Sequence, residues 1–225
     1  TYTSDIHTKP GNLQSYANAI GQIPGQFVYD YHNFLADSSI SSKTFATIGL
    51  CGDTEVRTIA RTSNGTSTDV TVTRTRSSAG VTCHVRDFSY VNTPTQRLLV
   101  GSNNYSQLDG SLQSTKTLVD PVVVATSTML KGGTIANGTR IDFTPAGGSP
   151  AYLGTLVDAR VAVGLEDVSV SAGNFTGCLK FSLIRDSAGF GVFHRVSWSC
   201  PGIGEVKRIQ AGRMWELTGM VTAPH

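Results

Sequence analysis

The stretch Thr54-Glu55-Val56-Arg57-Thr58-Ile59-Ala60-Arg61, then Asn64-Gly65, then Asp69-Val70-Thr71-Val72-Thr73-Arg74-Thr75-Arg76, decides the fold class. Both arms alternate with a period of two, which is the period of a strand with two unlike faces. In the second arm Val70 and Val72 share one face, and Thr71, Thr73 and Thr75 share the other. Asn64-Gly65 between the arms predicts a tight hairpin, because a type I′ turn needs positive φ at both central residues. Residues 77–80 make a second turn into 81–91, so the segment reads as a three-strand antiparallel meander.

Working outward, residues 119–130 are apolar and β-branched, and end at Lys131-Gly132-Gly133. Short strands are expected at 140–144 and 153–157, around Pro145-Ala146-Gly147-Gly148-Ser149-Pro150. Residues 158–170 alternate again, 178–185 and 190–199 read as a hairpin, and 205–210 with 214–221 read as the last strands. Between 92 and 116, Pro94, Gly101, Asp109 and Gly110 punctuate a looser region. Residues 1–25 form a polar N-terminal arm, in which Leu13, Tyr16, Ala17 and Ile20 allow one short helix. The expectation is a single all-β domain over 26–225: a curved antiparallel sheet or two packed antiparallel sheets, half-barrel or sandwich.

Composition narrows the partners. Charged residues make up 15% of the 225-residue chain, against about 25% in typical globular proteins. Thr replaces them, and its branched Cβ suits a strand while its hydroxyl keeps the outer face wet. The net charge is +2 with Lys and Arg scattered along the chain, so no nucleic-acid partner is expected. No apolar run approaches the roughly 18 residues of a spanning helix, so no transmembrane segment is expected.

Four cysteines, Cys51, Cys83, Cys178 and Cys200, form an even set without CxxC spacing. The spacing disfavours zinc, and even parity favours disulfides in an oxidising, exported setting (periplasm, cell surface or extracellular) over buried free thiols. Cys178 and Cys200 face each other if the intervening turn centres on Gly189, where Ser187-Ala188-Gly189-Phe190-Gly191 places it. Cys51–Cys83 follows by elimination. In a flat meander that pair lies roughly 10 Å apart, beyond the reach of about 7 Å for a bridge. It therefore requires the sheet to curl or the chain to cross back.

Local catalytic motifs are missing. His7, His32, His84, His194 and His225 lie too far apart for an i, i+4 metal pair, and are read as surface or strand-face residues. Gly147-Gly148-Ser149-Pro150-Ala151 lacks the strand-to-helix setting of a nucleophile elbow. Glu166-Asp167 would point to opposite faces of a strand and cannot act together on one substrate. No enzyme activity, metal or cofactor is expected. Phe27, Tyr29 and Tyr31 alternate and would put three rings on one strand face, either as core or as a binding face. Asn64-Gly65-Thr66, Asn104-Tyr105-Ser106, Asn137-Gly138-Thr139 and Asn174-Phe175-Thr176 match the N-glycosylation sequon, which arises readily in a Thr-rich chain.

Residues 168–180, Val-Ser-Val-Ser-Ala-Gly-Asn-Phe-Thr-Gly-Cys-Leu-Lys, precede residues 198–207, Trp-Ser-Cys-Pro-Gly-Ile-Gly-Glu-Val-Lys. Together they resemble the V-P-A-G-x-F-x-x-C-L-K … W-x-A-P-G-V-G-x-V-K pattern of bacterial exported β-sheet proteins of LolA-like or DUF3108-like character. Pro121-Val122-Val123-Val124 and Leu130-Lys131-Gly132-Gly133-Thr134 are similar to the apolar strand and turn of that group. The resemblance covers the C-terminal half and implies a curved sheet in the cell envelope, with acyl-chain binding in LolA-type relatives. It carries over no contact residue. Cys200 stands where the pattern has Ala. Two functions are thus expected to compete: binding of an apolar ligand or lipid, and self-association of a filament, surface-layer or adhesin subunit by strand addition from the arm.

Overall fold

The protein is described here by a computed structural model, which covers residues 28–47, 52–187 and 191–222. The strands are β1 (Val28–Tyr29), β2 (Ile40–Thr47), β3 (Thr54–Asn64), β4 (Ser67–Ser78), β5 (Val81–Asn92), β6 (Gln96–Tyr105) and β7 (Leu112–Thr126). They continue with β8 (Met129–Leu130), β9 (Thr134–Pro145), β10 (Ala151–Val170), β11 (Gly173–Ser187), β12 (Gly191–Cys200), β13 (Gly204–Gln210) and β14 (Arg213–Thr222). A single 3-10 turn, Tyr31–Phe34, follows β1.

Twelve of these strands form one closed antiparallel barrel, in which each pairs with its neighbour along the chain. β14 closes the ring on β2, and β7 pairs with β9 across the short excursion of β8, which pairs instead with β1. The all-β expectation holds, and the curvature is carried past a half-barrel to full closure. Closure removes the unpaired edges that an open sheet exposes.

The first hairpin forms as read, with one adjustment. Asn64 pairs with Ser67, so the two loop residues are Gly65 and Thr66 rather than Asn64 and Gly65. Gly65 has φ +62°, which a turn with glycine at its first central position requires. Face assignments survive, because such a turn moves the pairing by two residues and the side-chain period is two. β6 lies where looser sequence was expected, and β2 lies in a stretch that was given no assignment. β2 is short and mostly polar, and β6 contains Gly101. A Cβ at Gly101 would sit 2.5 Å from the Lys116 carbonyl oxygen, so glycine there permits the close approach of β7. Residues 151–170 are one long strand instead of two, with register shifts at Ala162/Gly164 and Glu166/Val168 that bend it.

The β11–β12 register pairs Leu179 with Ser199 and Ser187 with Gly191, which sets Cys178 opposite Cys200. These two cysteines form a buried disulfide. The pairing of Cys51 with Cys83 and the possible helix in the arm lie outside the described residues, because Cys51 and residues 1–27 do.

One end of the barrel is covered. The segment after β1 is tied there by Asp37 N–H to Gly202 O at 2.6 Å and Gly202 N–H to Asn33 O at 2.9 Å. Arg61 donates to the carbonyls of Ala36, Asp37, Ser38 and Ile40, holding the crossing chain in place. Tyr29, Phe34, Ala125, Met129, Ala162, Leu179 and Phe181 pack together at this end.

Candidate functional site

Barrel diameter rises with strand number; eight strands leave room that side chains fill, and sixteen or more leave an aqueous channel. Twelve lie between these limits. The lumen here holds two chambers, of about 190 Å³ and about 330 Å³. The smaller lies under the covered end, among Tyr31, Phe34, Ile59, Val70, Val72 and Leu183. The larger lies toward the other end, among Phe88, Leu99, Leu118, Ile141, Leu156 and Phe193.

Strand alternation explains what else points inward. Val70 and Val72 line the lumen, so Arg74 and Arg76 on the same face of β4 do too, while Thr71, Thr73 and Thr75 face out. Phe88 and Tyr90 likewise carry Arg86 inward on β5. The smaller chamber is lined by six arginines (57, 61, 74, 97, 160 and 195) and the larger by six (74, 76, 86, 185, 195 and 208). Arg74 and Arg195 belong to both, so ten of the twelve arginines in the chain face one lumen. Lys43 and Lys116 join them.

Three buried acids balance part of this charge. Glu55, fully buried, accepts from Arg57 Nε at 2.6 Å and Arg76 Nε at 2.9 Å, with Arg208 Nη2 at 3.4 Å. Burial favours its neutral acid, but Arg57, Arg74, Arg208 and Arg76 reverse that and hold the carboxyl far below the usual carboxylate range. Glu205 forms an ion pair with Arg57 Nη1 at 2.7 Å; burial opposes its ionisation, yet Arg57 and Arg208 bring it down to about 2. Asp158 accepts from Arg160 Nε at 2.8 Å and Arg185 Nη2 at 2.5 Å, and ends below its ordinary range for the same reason.

The remaining cations are less well matched. Arg57 holds the short contacts to both glutamates, which leaves Arg208 with 3.4 and 3.8 Å separations and with Nε and Nη1 lacking partners. Arg208 stacks on Trp215 at 4.1 Å, and burial beside Arg57 pushes its guanidinium well below the usual value. Arg195 donates to Gln210 and is pushed down to about 9, by burial first and by Arg74 among its neighbours. Arg86 donates to Ser102 and is pushed down to about 10 by burial and Arg74. Lys43 donates to the Glu205 carbonyl, and burial with the adjacent Arg57 pushes its ammonium down to about 7.

The residues singled out in the sequence scatter. Tyr29 lies in the core at the covered end. Tyr31 meets Phe181 edge-on at 5.3 Å and lines the smaller chamber. Phe27 lies outside the described residues. Tyr29 and Tyr31 do not share a strand face, because β1 ends at Tyr29 and Asp30 caps the 3-10 turn that holds Tyr31 by accepting from the His32 N–H. Ser149 sits in the exposed connection between β9 and β10. Glu166 accepts from Lys180 and Trp198 on the outer face, and Asp167 accepts from the Gly177 N–H. Asn137 is bonded through both its side-chain oxygen and nitrogen to Val123 within the sheet, which removes that sequon from use. Among the described residues no three His, Cys, Asp or Glu side chains gather as a metal site.

The arginine lining was missed because the cations are far apart in sequence. One signal was present: Arg57, Arg61, Arg74, Arg76 and Arg86 share strand faces with Ile59, Val70, Val72 and Phe88. A face that mixes large apolar residues with arginines is that of a polar lumen, not of a sandwich core. Compared with known protein families, curated proteins and solved structures, the chain matches none.

Proposed function

We propose that this chain is an exported, non-catalytic binding protein whose barrel encloses a small ligand with an apolar body. The observation that carries the reading is the pair of lumenal chambers walled by aliphatic and aromatic side chains from nearly every strand. Ligand sites are concave and mostly apolar, with a few converging polar groups; here the apolar walls share the lumen with ten arginines, so the guest meets both kinds of surface. A chamber of about 190 Å³ is of the order of the roughly 150 Å³ cavity that takes benzene, which favours a ring-sized or short-chain body over a long acyl chain. The LolA-like resemblance points the same way in kind, toward an apolar guest within a curved sheet.

The buried Cys178–Cys200 bridge supports export, since such bonds persist in oxidising compartments. Closure weighs against a subunit that polymerises by strand addition, because the twelve-strand ring offers no free edge to a neighbour's arm. The outer face of β3–β6 carries Thr58, Thr71, Thr73, Asp87 and Asn103, which is not the continuous apolar belt a lipid-facing barrel needs.

The test is titration with neutral probes, benzyl alcohol and cyclohexanol, followed by saturation-transfer NMR. Val72 lines the smaller chamber, so Val72→Phe fills it. Binding to the native protein and its loss in V72F are expected. Absence of transfer to either probe, or transfer that V72F leaves intact, would refute an apolar lumenal site.

A further inference from the structure

We infer that the lumen is an oxyanion site: the ligand enters with a carboxylate or phosphate head, seated between Arg74 and Arg195 where the two chambers meet. The inference rests on the binding reading above and supplies the chemistry of its guest.

The first support is an imbalance of buried charge. Glu55, Glu205 and Asp158 are each held by two or more arginines at contact distance. Arg57, Arg76, Arg160 and Arg185 are thereby closely paired and Arg208 more loosely, while Arg61 is committed to backbone carbonyls. Arg74, Arg86, Arg97 and Arg195 have no carboxylate within ion-pair distance among the described residues, although Glu55 acts on Arg74 and Glu205 on Arg195 from further off. Arg86 and Arg195 find only the neutral oxygens of Ser102 and Gln210. Arg97 lies over the Tyr90 ring at 4.2 Å, and Arg74 over Phe88 at 4.4 Å with its Nε buried and unpartnered. All four are half-buried, and charges drawn partly out of water without an ion-pair partner are unfavourable, so an anion that enters between them is favoured.

The second support is the placement of these cations. Arg57, Arg74 and Arg86 stand directly opposite one another on three adjacent strands, with Lys43 opposite Arg57 on a fourth. Like charges directly opposite destabilise a sheet. Glu55 and Glu205 offset only Arg57 in this row at close range, and the rest of it suits an anion that bridges several donors. Arg195 approaches from the other wall, on β12, lines both chambers together with Arg74, and is near enough that Arg74 lowers its hold on its proton. Guanidinium forks match the planar oxygens of carboxylate and phosphate in pairs. Val70, Val72 and Leu183 lie beside this junction in the smaller chamber and receive the apolar body.

The experiment is calorimetric titration at low salt, in a buffer without oxyanions, with benzoate, phenyl phosphate, inorganic phosphate and benzyl alcohol. Benzoate and phenyl phosphate are expected to bind at least about tenfold more tightly than benzyl alcohol. Arg74→Met and Arg195→Met should each weaken both oxyanions by about tenfold or more. Benzyl alcohol should be unaffected by either. Arg74→Met should also raise the melting temperature of the unliganded protein, which shows that the variant folds. Arg140→Met, at an exposed pair with Asp142, should change nothing. Equal affinity for benzoate and benzyl alcohol would overturn the oxyanion site and leave the apolar lumen standing. Binding of inorganic phosphate without benzyl alcohol would uphold the oxyanion site and overturn the apolar body. Oxyanion binding untouched by both substitutions would overturn the placement at Arg74 and Arg195, and no binding by any probe would overturn both readings.

Discussion

Glu55→Gln tests whether buried charge organises this barrel. Glu55 has no exposed surface and accepts from Arg57, Arg76 and Arg208 on three different strands. Glutamine keeps the shape and an acceptor oxygen but removes the charge that these guanidiniums surround. Removing one member of a buried ion pair costs about 3–5 kcal/mol, because the partner charge stays behind uncompensated. Here Glu205 is the acid that remains, and it already serves Arg57 at 2.7 Å, so Arg76 would be stranded and Arg208 left with only its 3.8 Å pair to Glu205. At about 2–4 °C per kcal/mol for a chain of this size, the melting temperature should fall by roughly 6–20 °C. Urea unfolding at pH 7, with the slope unchanged, is the cleaner assay. Glu55→Met combined with Arg208→Met should recover much of the loss, since an apolar pair is often as stable as a buried ionic one. The pH profile carries the same sign. The Glu55 carboxyl is held below its unfolded value, so its contribution is full above about pH 4.3 and is lost as pH falls further. In E55Q that acid-side loss should shrink. A fall of less than about 1 kcal/mol, with an unchanged acid limb, would refute the view that Glu55 neutralises the arginines around it.

Three further outcomes follow from the same structure. Lys43 is buried, and its ammonium is pushed down to about 7, so the native state holds the proton less tightly than the unfolded chain; stability should rise with pH between about 7 and 10.4. Lys43→Met should flatten that rise and stabilise the protein at pH 7 by on the order of 2–4 kcal/mol, read from urea midpoints at several pH values. Cys178 and Cys200 are 22 residues apart, so the double alanine variant should lose about 3 kcal/mol by the loop-entropy relation, measurable in denaturant without reductant. Gly204 has φ +74°, and a Cβ there would lie 2.8 Å from the Ala36 N; Gly204→Ala should loosen the covered end, seen as faster amide exchange at Asp37.

Much of the sheet was legible because antiparallel strands carry their own period. The arms at 54–61 and 69–76, the β11–β12 hairpin and the Cys178–Cys200 pairing all follow from alternation and turn position alone. β2 and β6 were not legible, because a strand that turns a polar face into a lumen shows neither an apolar run nor clean alternation. Tyr31 shows the same limit from the other side. Its spacing from Tyr29 suggests one strand face, but Asp30 caps a turn between them and sends Tyr31 into the chamber wall.

The sequence by itself determined that this chain forms antiparallel strands, where most of them run, and that Cys178 meets Cys200. These are local properties of residue type, spacing and turn chemistry. Only the tertiary structure decided that the sheet closes and what its inside is. A net charge of +2 with scattered basic residues looks neutral on average. Closure sorts it, because ten of the twelve arginines, on inward positions of successive strands, point to the barrel axis while Glu55, Glu205 and Asp158 are the acids buried among them. The summed charge of a chain is fixed by its composition, but the field within a lumen is fixed by which face each strand turns inward.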